Sequence, residues 1–329
     1  MDKPLILVVG GAGYIGSHMV LDLLRAGYPV VTLDNLSRGH RELLPGGEFI
    51  AGDLGNPADL DTVFSRYPVK AVMHFAAWSL VGESVEKPLA YYRNNVANTI
   101  TLLEAMQRYG IGHFIFSSTA AVYGEPRETP IAEDHPRAPT NPYGATKLAV
   151  ERLLQDVSQA TGMTYSILRY FNAAGADASG NIGERHQPET HLIPLVLQVA
   201  TGARESITVF GTDYPTPDGT CLRDYIHVSD LTRAHLLALE ALLHGGDNSI
   251  YNLGNSTGYS VNQVIEVARE VTGHSIPAQL AERRPGDPAV LIADSGRIRN
   301  ALGWRPEYER LEDIVRSAWV WHRKEAGEE

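Results

Sequence analysis

Tyr143 and Lys147 stand four residues apart in NPYGATK, near the start of a helical stretch, so one helix face carries both. A phenol with its ordinary pKa of about 10 is a poor base at neutral pH, and bringing it near 7 takes roughly 4 kcal/mol. Nearby positive charge can supply that, and the lysine ammonium is one source. Upstream, Ser117–Ser118–Thr119 ends an apolar run, where a hydroxyl could bond a reacting oxygen and assist proton transfer. The Tyr–Lys spacing alone equally describes a solvated helix face. The rest of the chain must decide.

The deciding segment is VVGGAGYIGSH, where a strand turns into a helix. Gly10, Gly13 and Gly16 occupy the turn, and Gly11, Gly13 and Gly16 also satisfy G-x-G-x-x-G. Missing side chains there allow a tight turn, close approach of a pyrophosphate and close packing of helix on strand. The helix N-terminus adds unpaired N–H groups that suit an anion. Asp34 follows Gly16 by 18 residues, at the end of the next strand-like run. A carboxylate there accepts hydrogen bonds from ribose hydroxyls and repels a 2′-phosphate. Arg38 could serve such a phosphate, but with Asp34 ahead of it the expected dinucleotide is NAD. Its positive nicotinamide ring would be the second charge acting on the phenol.

These residues need a frame that brings strand ends together. The first half alternates short β-rich runs (Leu5–Val9, Val30–Leu33, Phe49–Ala51, Ala71–Phe75, Phe114–Ser117, Tyr165–Leu168) with helical stretches at Tyr14–Ala26, Pro57–Arg66, Leu89–Tyr109 and Pro142–Gln159. That rhythm predicts an α/β fold, a Rossmann-type doubly wound parallel sheet. Residues 172–224 are rich in Gly, Pro, Asp and Asn, with one apolar helix near Pro194–Ala200, and suit a ligand-covering region. A helix returns at Val228–Leu243 and a strand at Ile250–Leu253, and the chain closes in what reads as an exposed charged tail. The expected division is a dinucleotide domain of residues 1–171 plus about 225–255, and a smaller, discontinuous α/β substrate domain of about 172–224 plus 256–329.

At 329 residues the chain can bury a large core, and its 43% hydrophobic and 20% charged residues are ordinary for a globular protein. A net charge of -11 argues against nucleic-acid or anionic-membrane surfaces. The single cysteine, Cys221, cannot form an internal disulfide, and the short apolar run before the glycines is too short to span a membrane. Both lead to an expected cytoplasmic location. No metal site is expected.

VGGAGYIGSH, HFAA, FSSTAAVYG, NPYGATK, LRYFNAAGA, FGTDYPTPDGTCLRDYIHV and YNLGN follow one another in this order. In this the chain resembles the UDP-galactose/UDP-glucose 4-epimerases of the extended short-chain dehydrogenase/reductase group, from about Leu5 to Trp304. The glycine turn and Tyr–Lys pair are shared widely, whereas DYPTPDGTCLRDYIHV and VGESVEKPLAYYRNNV are more specific to these epimerases.

The resemblance implies Tyr143 as base, Lys147 as its electrostatic partner and ribose anchor, and Thr119 as the assisting hydroxyl. It implies an NAD site of Gly10, Gly13, Tyr14, Ile15, Gly16, Asp34, Asn35, Asp53, Leu54, Phe75, Ala76, Ala77, Asn94, Ser117, Tyr143, Lys147 and Tyr170, with Asp53 reaching the adenine. Ser79 stands where relatives often carry a lysine that touches the cofactor phosphate. For a UDP-sugar it implies Thr119, Tyr143, Asn172, His191, Leu192, Phe210, Arg223, Arg284, Asp287 and Leu291. Arg223 and Arg284 suit a diphosphate, Asp287 suits the uridine ribose, and Leu291 falls where the sugar C2 substituent is gated. An Arg223–Asp224 ion pair within one step of chain is the plain alternative for that arginine. Relatives commonly form homodimers through helices matching Leu89–Tyr109 and Pro142–Gln159.

The implied reaction is interconversion of UDP-glucose and UDP-galactose through a 4-keto intermediate, with NAD retained; the same C4 chemistry would serve a UDP-N-acetylhexosamine, UDP-pentose or UDP-uronate. Dehydratases and decarboxylases of nucleotide sugars place a carboxylate after the serine–threonine strand end. Here Thr119 is followed by Ala120, Ala121, Val122 and Tyr123, which speaks against both. An NAD-sensing regulator would not need the Tyr–Lys pair, and a free ketone reductase would not need the UDP positions.

Overall fold

The structure, a computed structural model, describes residues 3–284 and 286–327. Thirteen strands are named in chain order: β1 (Leu5–Val9), β2 (Val30–Asp34), β3 (Glu48–Ala51), β4 (Val69–His74), β5 (His113–Thr119), β6 (Thr164–Tyr170), β7 (Asn172–Ala174), β8 (Ile207–Phe210), β9 (Leu222–His227), β10 (Ser249–Leu253), β11 (Gly258–Ser260), β12 (Ala278–Ala281) and β13 (Val290–Leu291). A seven-stranded sheet runs β10-β6-β5-β4-β1-β2-β3. Its β1–β5 members pair in parallel, with Val9 opposite Leu33 and His74. This is the Rossmann-type order, reversing beside β1, and it brings the carboxyl ends of β1, β2, β4 and β5 to one edge. The central strands read as unbroken apolar runs because helices cover both faces: Ile6, Leu7, Val8 and Val9 are wholly buried.

Contacts divide the chain into two units. The first comprises residues up to Gly124, Pro136–Arg169 and Thr232–Tyr251; the second comprises Glu125–His135, Tyr170–Leu231 and the chain from Asn252 onward. The first unit's core joins sheet residues such as Leu7, Val72, Phe114 and Ile167 to Leu60, Leu102, Met106, Val150 and Leu154 from the helices.

Two helices of this unit matter for chemistry. Helix Pro142–Thr161 begins where Asn141 accepts the Gly144 N–H at 2.9 Å, with Pro142 in the first turn, and ends at Gly162 with φ 75°. The stretch expected as one helix over Leu89–Tyr109 is instead interrupted. Helix Pro88–Tyr92 passes into a π-turn over Arg93–Ala97 before helix Asn98–Arg108. At this turn Asn95 is buried and its side chain serves Trp78: Nδ2 donates to the Trp78 carbonyl and Oδ1 accepts the Trp78 N–H, both at 3.0 Å. A π-turn inserts one residue into the ladder and re-aims such a side chain.

In the second unit β9 pairs with β7, β11 and β13, while β8 and β12 form a parallel pair. Its core is built from helices Leu192–Ala200, Val261–Thr272 and Leu311–Glu325 around Ile207, Val209 and Tyr225. The expected exposed charged tail is confined to the last described residues, Lys324 to Gly327, and the residues before it belong to the core. Leu311, Ile314, Val315, Ala318, Trp319 and Trp321 are buried at helical spacing, while Arg316 and Val320 face water. The Gly- and Pro-rich stretch over 172–224 likewise carries three short strands besides its helix. Among the described residues no helix is long and apolar enough to cross a membrane.

Candidate active site

The turn after β1 is fixed by contact with its neighbours. Gly10 has φ 75°, and a Cβ there would stand 2.6 Å from the Ala76 Cα. A Cβ on Gly16 would stand 2.8 Å from the Gly11 Cα and nearer still to the Gly10 carbonyl oxygen. Both positions need glycine for the fold itself. Gly13 is different: it caps the helix with φ -79°, and the nearest protein atom to a Cβ would be 3.4 Å away. The chain leaves space beside Gly13 that it does not itself fill. Tyr14 is buried and Ile15 half-buried in the first turn of the helix beyond.

Asp34 closes β2 with its carboxylate accepting the N–H of Ala12 at 3.0 Å and of Leu36 at 2.8 Å. Burial pushes its pKa up, against those two hydrogen bonds. Asn35 donates to Asp53 at 2.6 Å, which also accepts the Gly55 N–H at 2.7 Å, so the ends of β2 and β3 are tied together. Leu54 is buried next to them. Arg38 is committed: its guanidinium donates to Glu83 at 2.6 Å and lies over Trp78 at 5.5 Å. Glu83 also accepts from Lys87 and Tyr91. An arginine so held is not poised for a 2′-phosphate.

Phe75, Ala76 and Ala77 follow β4 and are half-buried, and Asn94 donates to Asn95 at 2.9 Å from the π-turn. At the end of β5, the buried Ser117 Oγ has no hydrogen-bond partner among the described residues. A buried hydroxyl left so is unfavourable unless something outside the chain completes it.

The helix face carrying the reactive pair is buried, which removes the solvated-face reading: Tyr143 is 7% exposed and Lys147 3%. The first turn of this helix lies against the end of β5, where a Cβ on Gly144 would stand 3.0 Å from the Ala121 carbonyl carbon. Thr119 is also buried there, accepting the Ala121 N–H at 3.1 Å. The Lys147 ammonium donates to the Ser117 carbonyl at 2.8 Å and lies 4.8 Å from the Phe116 ring centre. Burial brings its pKa down to about 7, with Glu151 pulling the other way.

Three buried polar groups near the pair escaped the sequence reading. Glu151 accepts from Ser118 at 2.6 Å and from Arg169 at 2.9 and 2.6 Å, and Arg169 also donates to Tyr123 at 2.8 Å. Glu151 falls one turn after Lys147 on the buried face, a periodicity visible in the sequence. His74 is wholly buried at the end of β4, its Nε2 3.1 Å from Thr99 Oγ1; burial first, then the Lys147 charge, brings its pKa down to about 3. The imidazole is neutral.

In the second unit, Asn172 donates to the Asp224 carbonyl at 3.0 Å, and Leu291 stands in register with Arg223 where β13 meets β9. Arg223 pairs with Asp287, and Arg284 covers the Phe210 ring at 4.0 Å. Arg223, Asp287 and Leu291 thus gather around one edge of β9, with Arg284 and Phe210 as a second pair. The expected alternative of an Arg223–Asp224 pair is corrected. Successive strand residues face opposite ways, and the Asp224 carboxylate is buried among the N–H groups of Asn255, Ser256 and Ala293 at 2.8, 3.0 and 3.1 Å. Burial raises its pKa to about 7 against those bonds. Tyr170 ends β6, and Leu192 begins its helix. His191, just before that helix, lies 2.6 Å from Glu184 and 3.3 Å from Glu189. Burial opposes charge on this ring, but the two carboxylates prevail and raise its pKa to about 10.

The residues present fit a dinucleotide. Room is left beside Gly13, an unpartnered hydroxyl waits at Ser117, and Asp34 and Asp53 are fixed at adjacent strand ends. Comparisons with known proteins agree with that geometry. The chain is 56% identical to a UDP-glucose 4-epimerase of Halalkalibacterium halodurans over 97% of its length and 96% of the relative's. It superimposes on a crystal structure of a UDP-glucose 4-epimerase with a TM-score of 0.96 at 54% identity, covering 99% of both chains. A Bifidobacterium longum UDP-glucose 4-epimerase in complex with NAD+ and UDP gives a TM-score of 0.93 at 39% identity, covering 97% of this chain and 98% of that one. The model of the NAD dependent epimerase/dehydratase family matches residues 6–254, and with its glycine turn, Asp34 and buried Tyr–Lys face the chain belongs to that family.

Proposed function

We propose that this protein is an NAD-dependent isomerase that interconverts UDP-glucose and UDP-galactose at C4 of the sugar. The observation that carries the reading is the near-full-length similarity to UDP-glucose 4-epimerases, over which the buried Tyr143–Lys147 face stands intact. The chemistry NAD supplies when bound is reversible acceptance of hydride from the sugar C4. Gly10, Gly13, Tyr14, Ile15 and Gly16 hold its pyrophosphate, Asp34, Asn35, Asp53 and Leu54 its adenosine, and Phe75, Ala76, Ala77, Asn94, Ser117 and Tyr170 the remainder.

Tyr143 takes the proton from the sugar 4-hydroxyl as C4 is oxidised, and Thr119 holds the same oxygen by a hydrogen bond. When the keto sugar presents its other face, Tyr143 returns the proton. Lys147 lends its charge to the phenol and anchors the nicotinamide ribose. Arg223 and Arg284 bind the diphosphate, Asp287 the uridine ribose, and Asn172, Leu192, Phe210 and Leu291 the rest of the nucleotide sugar. None of the four residues after Thr119 is a carboxylic acid, which supports return of the hydride to C4 over acid–base chemistry at C5 or C6.

Two further features belong to this reading. Val85, Leu89, Tyr92 and Ile100 are exposed apolar side chains on the first helices after β4, with Leu89 84% exposed, and they support a homodimer through that surface. The lone cysteine supports a cytoplasmic setting.

The test is conversion of UDP-glucose to UDP-galactose by the purified protein without added cofactor, products resolved by anion exchange. Tyr143→Phe should slow conversion by about 10²- to 10⁴-fold with NAD still bound. A variant as fast as wild type overturns the assignment of Tyr143.

A further inference from the structure

The segment ahead of helix Leu192–Ala200 places Glu184, His186, Glu189 and His191 around a common point, one ligand atom from each lying within 4.8 Å of every other. The His191 Nδ1 is 2.6 Å from Glu184 and 3.3 Å from Glu189, and the His186 Nδ1 is 3.0 and 3.7 Å from the same two carboxylates. A tetrahedral zinc ion with N and O ligands at about 2.0–2.1 Å has ligands about 3.3 Å from one another. The observed spacings bracket that edge.

We propose that Glu184, His186, Glu189 and His191 form a four-ligand site for one divalent ion of the zinc class, a structural site of which only His191 also stands among the residues expected at the UDP-sugar. The ligand set suits it, since imidazole and carboxylate together favour zinc over magnesium or calcium, which prefer all-oxygen sites. The carboxylates are already withdrawn from water, the Glu184 side chain being 4% and the Glu189 side chain 6% exposed. Other bonds fix them. Glu189 Oε1 accepts the N–H of Thr190 at 2.7 Å and of His191 at 2.8 Å, leaving Oε2 toward His186. The Trp321 indole N–H donates to the Glu184 carbonyl at 2.9 Å, so helix Leu311–Glu325 holds the segment from behind. Such outer bonds aim ligands before an ion arrives.

Charge balance permits the ion. Two carboxylates withdrawn from water are balanced, without an ion, by the protonated imidazoles of His186 and His191. A divalent ion supplies both charges and lets the imidazoles bind as neutral rings, releasing the protons they hold without it. The sequence reading missed the site because E-x-H-x-x-E-x-H, on a Pro-containing loop, matches none of the usual ligand spacings. The ion would lock the loop onto the last helix and set the start of helix Leu192–Ala200.

The test uses the full-length chain, stripped with a chelator and dialysed, then titrated with cobalt(II) chloride and followed by visible absorption. One equivalent should bind with the intense bands of tetrahedral cobalt, and zinc chloride should displace it. His186→Ala and Glu189→Gln should each weaken uptake by at least about a hundredfold. Zinc should raise the wild-type melting temperature and leave those of the variants unmoved. No saturable uptake by the wild type, a weak octahedral-type spectrum, or equal uptake by a folded variant would each overturn the proposal. Should His186→Ala fail to fold, Glu189→Gln and the wild-type titration still decide.

Discussion

Gly13 and Gly16 look alike in the sequence and should behave oppositely. A methyl group on Gly16 meets main-chain atoms, the Gly11 Cα at 2.8 Å and the Gly10 carbonyl closer still, which cannot rotate away. Overpacking of that kind costs about 1–3 kcal/mol, offset by about 0.5–1 kcal/mol from alanine's better helix propensity. With the overpacking at its upper end, since main-chain atoms cannot rotate away, Gly16→Ala should lose about 2 kcal/mol, a fall in melting temperature on the order of 5 °C. At Gly13 the backbone is extended and nothing approaches an added Cβ closer than 3.4 Å. Alanine gains about 0.4–1 kcal/mol through the unfolded chain and loses a similar amount as a poorer helix cap, so the apoprotein should melt within about 3 °C of wild type.

The nucleotide should tell the two apart. If the space beside Gly13 is where the pyrophosphate approaches, its methyl imposes the overpacking term on binding alone, weakening NAD by about tenfold to a hundredfold. The assay is bound nucleotide per chain after acid release, with titration calorimetry on stripped protein and a melt of the same sample. Gly13→Ala that binds NAD as tightly as wild type would refute the reasoning, because the vacant space would then have no ligand to explain it.

Other perturbations follow from the buried charges. Glu151→Gln removes one partner of the Glu151–Arg169 pair and leaves a buried guanidinium uncompensated, a loss of about 3–5 kcal/mol that a denaturant melt would show. A shift below 1 kcal/mol would mean that Arg169 finds water. For Lys147, burial sets the folded pKa near 7 against an unfolded 10.5, so the unfolded chain binds more protons between those values. Stability from this residue therefore rises with pH across that window and is lost as pH falls toward 7. In NAD-free protein the wild type should gain on Lys147→Met between about pH 7.5 and 9.5, and parallel stability curves would contradict this.

Much of the first unit was legible because its signals are local. A strand–glycine–helix turn, an aspartate at the next strand end and a Tyr–Lys pair at helical spacing each depend on neighbours within one element. What was illegible depends on distant partners. Helix Leu89–Tyr109 looked continuous because its composition is helical throughout; the π-turn exists to hand Asn95 to Trp78, 17 residues away. The charged tail was legible, but not the helix leading into it, where charged residues separate the apolar ones and only the 3.6-residue period betrays Leu311, Ile314, Val315 and Ala318 as a buried stripe. Arg223 could not be told from a partner of Asp224 without knowing that both lie on a strand, where adjacent side chains diverge.

The buried network also bears on how, in the proposed mechanism, a lysine would act on a phenol while standing one turn from a glutamate. Were Glu151 free to pair with Lys147, the two charges would cancel, and the phenol would feel little of either. The structure removes that option by giving the Glu151 carboxylate to Arg169, at 2.9 and 2.6 Å, and to Ser118 at 2.6 Å. With Arg169 bound to it and the exposed Arg137 3.9 Å away, Glu151 has cationic partners other than Lys147. Burial dominates Lys147 and brings its pKa down to about 7, with Glu151 still pulling the other way. An ammonium so poorly compensated gains most by having an anion beside it, and Tyr143 occupies the preceding turn of the same buried face. On the proposed mechanism Arg169 would serve the phenol without touching it, by giving Glu151 a partner other than Lys147.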